Sequence, residues 1–194
     1  MLSPIGPADG EPPDSYVYDP ADPTPSVPGR DARFAGPFDQ RSIEQRPDVL
    51  VYTTPPLERD LDVIGPLRAH LWAATDARDT DWVVKLVDVA PDGYAFPLSI
   101  GMLRARYRAS PACQSLLEPW QVYDYAIEMR PVGNRFRAGH RIRVEVASAS
   151  FPEYDRNLNT GKNFGEDAVG QPASQLVFHD ASRPSQIVLP VVPG

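Results

Sequence analysis

The sequence predicts an all-β protein, an antiparallel sandwich of the jelly-roll type with a proline-rich N-terminal arm. Apolar and polar residues alternate in about nine or ten short segments, as strands with one buried and one wet face require. No window of a dozen residues keeps a helical period. Proline accounts for 23 of the 194 residues, which is more than twice the usual ~5%. Because proline disrupts helices and central strands, the elements are expected to be short.

The prolines are concentrated at the N-terminus, where 10 of the 23 fall within residues 1–47. The run YDPADPTPSVPG at 18–29 excludes a helix, because the residue before each proline is pushed toward extended geometry. We therefore expect residues 1–47 to form an arm or linker with a short strand at Tyr16–Tyr18. Residues 48–194 are expected to form the sandwich.

The strand predictions rest on a two-residue period. Trp82 begins one apolar stripe, so we expect it in the core, and Pro91-Asp92-Gly93 has the composition of a turn between two strands. RSIEQR and PACQSLLEP are each expected to hold a turn or two of helix at most. The predicted strand segments are DVLVYTT, GPLRAHLWAAT, the two halves of TDWVVKLVDVAPDGYAF, GMLRARY, QVYDYAIEM, HRIRVEVASAS, SQLVFHD and SQIVLPVV.

Charge and composition argue against several functional classes. The net charge is -7 and the pI is near 4.9, whereas a nucleic-acid-binding face is basic. The alternating Arg104, Arg106 and Arg108 are interpreted as a solvated strand face. The single cysteine, Cys113, excludes an internal disulfide. No apolar run approaches the length of a membrane span or a signal peptide, so we expect no membrane partner and a cytoplasmic protein.

The residues do not suggest a hydrolytic site in this chain. The G-x-S-x-G pattern of a nucleophile elbow is absent. His70, His140 and His179 occur at separate places and are interpreted as structural or surface residues. No His, Cys and carboxylate spacing suggests zinc. The acids of TDARDTD at 75–81 favour a turn over a catalytic carboxylate pair.

The run SASFPEYDRNLNTG at 148–161 presents a weak calcium alternative. Thr160 stands where the calcium loop requires glycine, with Gly161 one place late, and a strand precedes the run instead of a helix. The favoured interpretation is a long loop between strands whose Asn and Asp side chains cap its backbone. The residues at loop positions 1, 3, 5 and 12 are Asp155, Asn157, Asn159 and Glu166.

Five ordered blocks give the chain a family resemblance. DVLVYTTPPLERDLDVIGPLRAHLWAATDARDTDWVVKLVDVAPDG, GMLRARYR, GHRIRVEVASASFPEYDRNLNTG and SQIVLP resemble the C-terminal domain of the X-Pro dipeptidyl-peptidase-like serine hydrolases. That group includes cocaine esterases, α-amino acid ester hydrolases and glutaryl acylases. YVYDPADPTPSVPG and GPFDQR, taken together, are similar to the linker that leads into that domain.

The resemblance implies a galactose-binding-like jelly roll that carries no Ser-His-Asp triad, because the family places the triad on a separate α/β-hydrolase domain with a helical cap. It implies that those two domains are this chain's partners, that the chain is inert alone, and that no cofactor is needed. The chain would brace the hydrolase domain and help to wall its acyl pocket. Phe34, with Arg33 beside it, matches the segment that can line that pocket.

Two tryptophans are predicted to contact a partner. Trp72 shares a strand face with Arg68 and His70, and Trp120 follows Pro119 at a strand start. A large aromatic on a polar face often marks a contact surface, and a homodimer through Trp72 is one form of it. The alternative function is a carbohydrate-binding jelly-roll module, which requires an exposed aromatic platform. Tyr123 and Tyr125 are the candidates for one, but they share their strand face with Ile127 and Met129, so we expect them in the core.

Overall fold

The computed structural model describes residues 1–27 and 38–193. These residues hold nine strands and one short α-helix. The elements in chain order are β1 Asp14–Tyr18, α1 Arg41–Glu44, β2 Leu50–Thr53, β3 Leu61–Thr75, β4 Asp81–Val89, β5 Ala95–Arg104, a 3-10 turn at Ala105–Tyr107, β6 Tyr123–Phe136, β7 Arg141–Ala147, β8 Ala173–Phe178 and β9 Gln186–Val188.

The strands pair antiparallel in the order β1-β8-β3-β6-β5-β4-β7-β2, with β9 also paired to β3. The path folds over between β6 and β5, where only Gly101 and Met129 are in register. One layer therefore contains β1, β8, β3, β6 and β9, and the other contains β5, β4, β7 and β2. The open seam lies between β1 and β2, and the Tyr52 hydroxyl bridges it by donating to Asp14 Oδ2 at 2.8 Å. The predicted all-β sandwich is confirmed.

The fold-over between the layers requires glycine at Gly101. A Cβ atom there would lie 2.7 Å from the carbonyl oxygen of Glu128 and 2.8 Å from the Met129 side chain. Both separations are shorter than a carbon contact allows. The missing side chain at Gly101 therefore lets β5 approach β6 closely enough to join the layers.

The core lies between the layers and uses one face of each strand. Trp82 and Leu86 of β4 are fully buried, as are Tyr125 and Ile127 of β6. Trp82 and Tyr125 pack ring against ring, with centroids 5.6 Å apart. The predicted placement of Trp82 in the core is confirmed. Tyr125 is fully buried, as the face that it shares with Ile127 and Met129 predicts, so Tyr123 with Tyr125 does not form an exposed platform.

Local differences from the sequence predictions occur at element ends. GMLRARY is not an independent strand, because its first four residues complete β5 and its last three form the 3-10 turn. PACQSLLEP contains a turn and no helix. The strand predicted at Tyr16–Tyr18 is confirmed as β1, which pairs with β8. The division at residue 47 stays a prediction. No helix among the described residues is long and apolar enough to cross a membrane.

Candidate partner-contact end of the sandwich

One end of the sandwich carries the long connections, and we call it the long-loop end. It comprises three segments at the ends of neighbouring strands: 76–80, 105–122 and 148–172. The arm residues 19–27, which follow β1, reach the same end. The opposite end carries short turns, including the one at 90–94 between β4 and β5. Since long connections commonly carry function, the long-loop end is the first place to look for a site.

A buried ion pair holds two of these loops together. Arg106 Nε donates to Asp79 Oδ2 at 2.8 Å, and the Arg106 backbone N–H donates to Asp79 Oδ1 at 2.9 Å. Both side chains are almost completely buried. The same guanidinium also donates to the Gln114 side chain and, at 2.7 Å, to the carbonyl oxygen of Lys162. One arginine therefore ties three loops to one another.

A second pair lies beside the first. Arg104 makes a bidentate contact with Asp81, at 2.9 and 3.0 Å, and also reaches Asp155 at 3.2 Å. Asn157 joins the two pairs, because its amide nitrogen donates to Asp79 at 2.8 Å and to Asp81 at 2.9 Å. Burial raises the pKa of Asp81, against the lowering effect of its hydrogen bonds from Arg104 and Asn157. We call Asp79, Asp81, Arg104, Arg106 and Asn157 the polar cluster.

The polar cluster corrects one sequence interpretation. Arg104, Arg106 and Arg108 do not form a solvated strand face, because β5 ends at Arg104 and the 3-10 turn directs Arg106 inward onto Asp79. Arg108 instead stacks over the Tyr123 ring at 4.2 Å. The pairing signal was present in the sequence as DTD and RAR, but alternation alone does not distinguish a wet face from a buried pair.

The loop at 148–161 is predominantly structural. Asn157 Oδ1 accepts from the backbone N–H of Asn159, and Asn159 Nδ2 donates to the carbonyl oxygen of Gln171 at 2.8 Å. Asn159 is fully buried and has a φ of 62°, a left-handed conformation that asparagine tolerates. The predicted capping by asparagine side chains is confirmed.

The four residues of the calcium alternative each have a protein partner. Asp155 lies against Arg104, Asn157 donates to two aspartates, and Asn159 contacts Gln171. Glu166 accepts from the Asn163 side chain and backbone. Within the described ranges, no group of three His, Cys, Asp or Glu residues is arranged to hold a metal ion. The structure therefore adds no support for a calcium ligand set.

The arm is fastened to this end of the sandwich. The Tyr18 hydroxyl donates to the carbonyl oxygen of Asn157 at 3.1 Å. Farther along, Ser26 N–H donates to the carbonyl oxygen of Phe151 at 2.7 Å, and Phe151 N–H donates to that of Thr24 at 2.9 Å. The arm is therefore positioned by backbone pairing as far as Ser26. Arg33 and Phe34 lie outside the described residues.

Exposed aromatic side chains surround this rigid base. Trp120 is 52% exposed and Phe164 is 82% exposed, and Phe151 is also exposed. Phe151 and Phe164 border a cavity of about 800 Å³ beside the polar cluster, together with Tyr107. Trp72 is half-buried on the outer face of β3, and its backbone N–H donates to the Ser185 hydroxyl.

The histidines make contacts with carboxylates and not with serine hydroxyls in the described part of the chain. His140 Nδ1 lies 2.8 Å from Asp88, and His70 Nδ1 lies 3.7 Å from Asp124. His179 lies between Glu11 and Asp14. The polar cluster likewise pairs each carboxylate with a guanidinium, which supplies no free base. This arrangement is suited to holding loops in place.

Comparison with known proteins agrees with this arrangement. Residues 7–188 match the family model described as the X-Pro dipeptidyl-peptidase C-terminal non-catalytic domain. The chain belongs to that family. It is 42% identical over 184 residues to the cocaine esterase of Rhodococcus sp., an alignment covering 92% of this chain and 32% of that protein.

Two solved structures also contain this domain fold. This chain superposes on an α-amino acid ester hydrolase with a TM-score of 0.91, and on an aminopeptidase from a marine sediment Thaumarchaeota archaeon with a TM-score of 0.89. Both are 36% identical to it, and each match covers 97% of this chain and 34% of the other. The chain thus spans about one third of the length of these relatives.

This chain also contains a buried pair of charged side chains that the sequence analysis did not predict. On the outer face of the second layer, beneath α1, Lys85 Nζ lies 3.5 Å from Glu145 Oε2 and donates to Gln40 Oε1 at 3.0 Å. Neither Glu145 oxygen receives a hydrogen bond. Burial raises the pKa of Glu145 to about 7; the positive charge of Lys85 opposes this rise only in part, and the nearby Glu44 carboxylate adds to it. A strand-face pattern alone would leave Glu145 in solvent.

Proposed function

We propose that this chain is the non-catalytic sandwich of a serine hydrolase, and that its long-loop end packs against the α/β-hydrolase and cap domains of the same protein. The observation that carries the proposal is the combination of a buried polar cluster with exposed aromatics on the same end of the sandwich. The cluster holds the loops in one arrangement, and the aromatics supply apolar area that water does not favour. Aromatic side chains are enriched in protein interfaces and carry much of their binding energy.

Trp120 gives the most specific support. Its backbone has a φ of 65°, and its N–H donates to the carbonyl oxygen of Thr75 at 2.7 Å. A bulky residue in the left-handed region costs free energy unless its surroundings hold it there. The ring is nevertheless more than half exposed. A strained backbone that presents an aromatic to solvent is well suited to contact a second surface.

The finer proposal concerns the acyl pocket. Residues 28–37 connect two fixed points. The first is Pro25, which makes an isolated β-bridge with Phe151. The second is Gln40, whose N–H donates to the carbonyl oxygen of Ala95. We propose that Phe34 in this connection forms part of the pocket wall, with Arg33 beside it. The backbone contacts of Pro25 and Gln40 would hold both ends of this connection in place, and neither residue would need to take part in catalysis.

A binding measurement tests the docking proposal. The hydrolase portion of a family member, expressed without its non-catalytic domain, is titrated with this chain in a sedimentation experiment, and esterase stability at raised temperature is followed in parallel. We expect a complex and a longer activity half-life. Trp120→Ser and Phe164→Ser should each weaken the complex by roughly tenfold, because interface aromatics carry much of the binding energy.

The matched control is Ile64→Ser, since Ile64 is 60% exposed at the other end of β3. It removes an exposed apolar side chain of similar accessibility without touching the long-loop end. If Ile64→Ser weakens the complex as much as Trp120→Ser does, the contact surface has been placed at the wrong end. If wild type forms no complex and does not prolong activity, the bracing role is refuted.

A further inference from the structure

The N-terminal segment 1–13 closes the seam between β1 and β2, and we call it the strap. Leu2 N–H donates to the carbonyl oxygen of Thr53 on β2, and Ala181 N–H donates to that of Ala8, both at 3.2 Å. Beneath the strap lies a cavity of about 570 Å³ that reaches between the layers. Its floor is made of buried aliphatic side chains from both layers: Leu71, Val84, Val144, Val146 and Val177.

One histidine connects the strap to the sandwich. His179 Nδ1 lies 3.0 Å from Glu11 Oε2 of the strap, and His179 Nε2 lies 3.1 Å from Asp14 Oδ2 of β1. An ionised carboxylate only accepts hydrogen bonds, and a neutral imidazole has one N–H to donate. The observed contacts therefore need both ring nitrogens to carry a proton. His179 satisfies both carboxylates only as a cation.

We propose that His179 is a pH-operated fastener of the strap. In its doubly protonated form the ring joins Glu11 to Asp14 and holds segment 1–13 over the cavity. Loss of one proton removes one of the two donors and the positive charge between two carboxylates. The strap then loosens, and the aliphatic floor of the cavity becomes accessible to water and to apolar small molecules.

The other polar groups around His179 do not replace the lost donor. Tyr52 of β2 already donates its hydroxyl to Asp14 Oδ2, and its ring meets that of His179 edge-on with centroids 6.2 Å apart. His70 of β3 lines the same cavity but contacts Asp124. Asp180 and Arg183, which follow His179, are paired with each other at 2.6 Å. Glu11 therefore depends on the imidazolium.

Hydrogen exchange of residues 1–13 tests the fastener at about pH 5 and about pH 8.5, an interval across which histidine side chains ordinarily change charge. Protection factors are corrected for the intrinsic pH dependence of exchange. We expect strap protection to fall by roughly two- to fivefold at the higher pH, because an ion pair this exposed to solvent contributes only modestly. Binding of an apolar dye should rise in parallel, since the cavity floor becomes accessible.

Variants locate the effect. His179→Gln should lower strap protection at pH 5 and abolish its pH dependence, while His140→Gln, which alters a histidine–aspartate pair elsewhere, should leave both unchanged. Glu11→Gln should reduce protection at pH 5 without changing that of β1. If wild-type protection is equal at the two pH values, or if His179→Gln keeps the wild-type ratio, the proposal is wrong. Loss of the pH dependence in His140→Gln would contradict it equally.

Discussion

Two regions of the sandwich, the long-loop end and the seam between β1 and β2, are held by the same chemistry in different surroundings. At the long-loop end, arginines contact the buried carboxylates of Asp79 and Asp81. At the seam, a half-buried histidine contacts Glu11 and Asp14. An arginine keeps its charge at every physiological pH, whereas a histidine does not. The first arrangement is permanent and suits a surface that must keep its shape, and the second can respond to its surroundings.

The Lys85–Glu145 pair beneath α1 is intermediate between these two. It is as buried as the polar cluster, yet its carboxylate lacks hydrogen bonds. Burial alone therefore does not make a charge pair permanent, because hydrogen-bond satisfaction decides which protonation state is stable. Substitutions can separate the effect of burial from that of hydrogen bonding.

A substitution in the buried core should reduce the free energy of unfolding the most. Trp82→Ala should lower the free energy of unfolding by about 3–5 kcal/mol, because it leaves a cavity where a fully buried indole packs on Tyr125. Chemical denaturation monitored by circular dichroism gives the value. A loss below about 1 kcal/mol would mean that the layers do not pack around this residue.

Breaking the polar cluster should be nearly as costly. Arg106→Ala leaves Asp79 buried and without its cation, which predicts a loss of about 3 kcal/mol or more. The matched control is Arg135→Ala, which removes an exposed bidentate contact with Asp62 and should cost at most about 1 kcal/mol. Equal losses in the two variants would show that burial does not distinguish these pairs.

The buried Glu145 carboxyl predicts that stability falls as the pH rises. Its folded-state pKa, about 7, is above its ordinary value of 4.5, so the folded protein binds this proton more tightly than the unfolded chain does. Its contribution is complete below pH 4.5 and is lost as the pH rises through about 7. Glu145→Gln should therefore be more stable than wild type at pH 8, by about 1–3 kcal/mol.

Thermal unfolding from pH 4 to pH 8 measures this difference. The variant should show a flatter profile than wild type across the interval, because glutamine does not titrate. Parallel profiles for the two proteins would indicate that Lys85 keeps Glu145 ionised throughout. In that case the Lys85–Glu145 pair would be permanently charged, like the ion pairs of the polar cluster.

A smaller effect is expected in the loop that caps itself. Asn159→Ala removes the hydrogen bond to Gln171 and should destabilise by about 1 kcal/mol. Asn159→Gly removes the same bond but tolerates the left-handed backbone, so it should cost less than alanine. If glycine is the worse of the two in denaturant titrations, backbone conformation does not contribute at this position.

The smallest effect belongs to the exposed aromatics. Trp120→Ser and Phe164→Ser should each change the free energy of unfolding of this chain by no more than about 0.5 kcal/mol, because little contact is lost within the sandwich. Melting curves of the isolated chain check this. A drop comparable with that of Trp82→Ala would make these side chains structural and would remove the basis for the docking surface.

Sequence periodicity predicted much of the fold, because a strand with one buried face alternates apolar and polar residues along the chain. The apolar face of this alternation includes Trp82, Tyr125 and Ile127, which are buried as expected. Arg106 and Glu145 do not, because their burial depends on partners 27 and 60 residues away that alternation does not identify. The contact of Glu11 with His179, 168 residues apart, is equally invisible to local pattern.

We propose that this chain acts as a scaffold and has no hydrolytic activity of its own. Incubation of the isolated chain with a fluorophosphonate, a reagent that labels activated serines, followed by intact-mass measurement, tests it most directly. We expect an unchanged mass, and hydrolysis of p-nitrophenyl esters no faster than in buffer. A stoichiometric adduct on one serine, with matching ester turnover, would contradict the account.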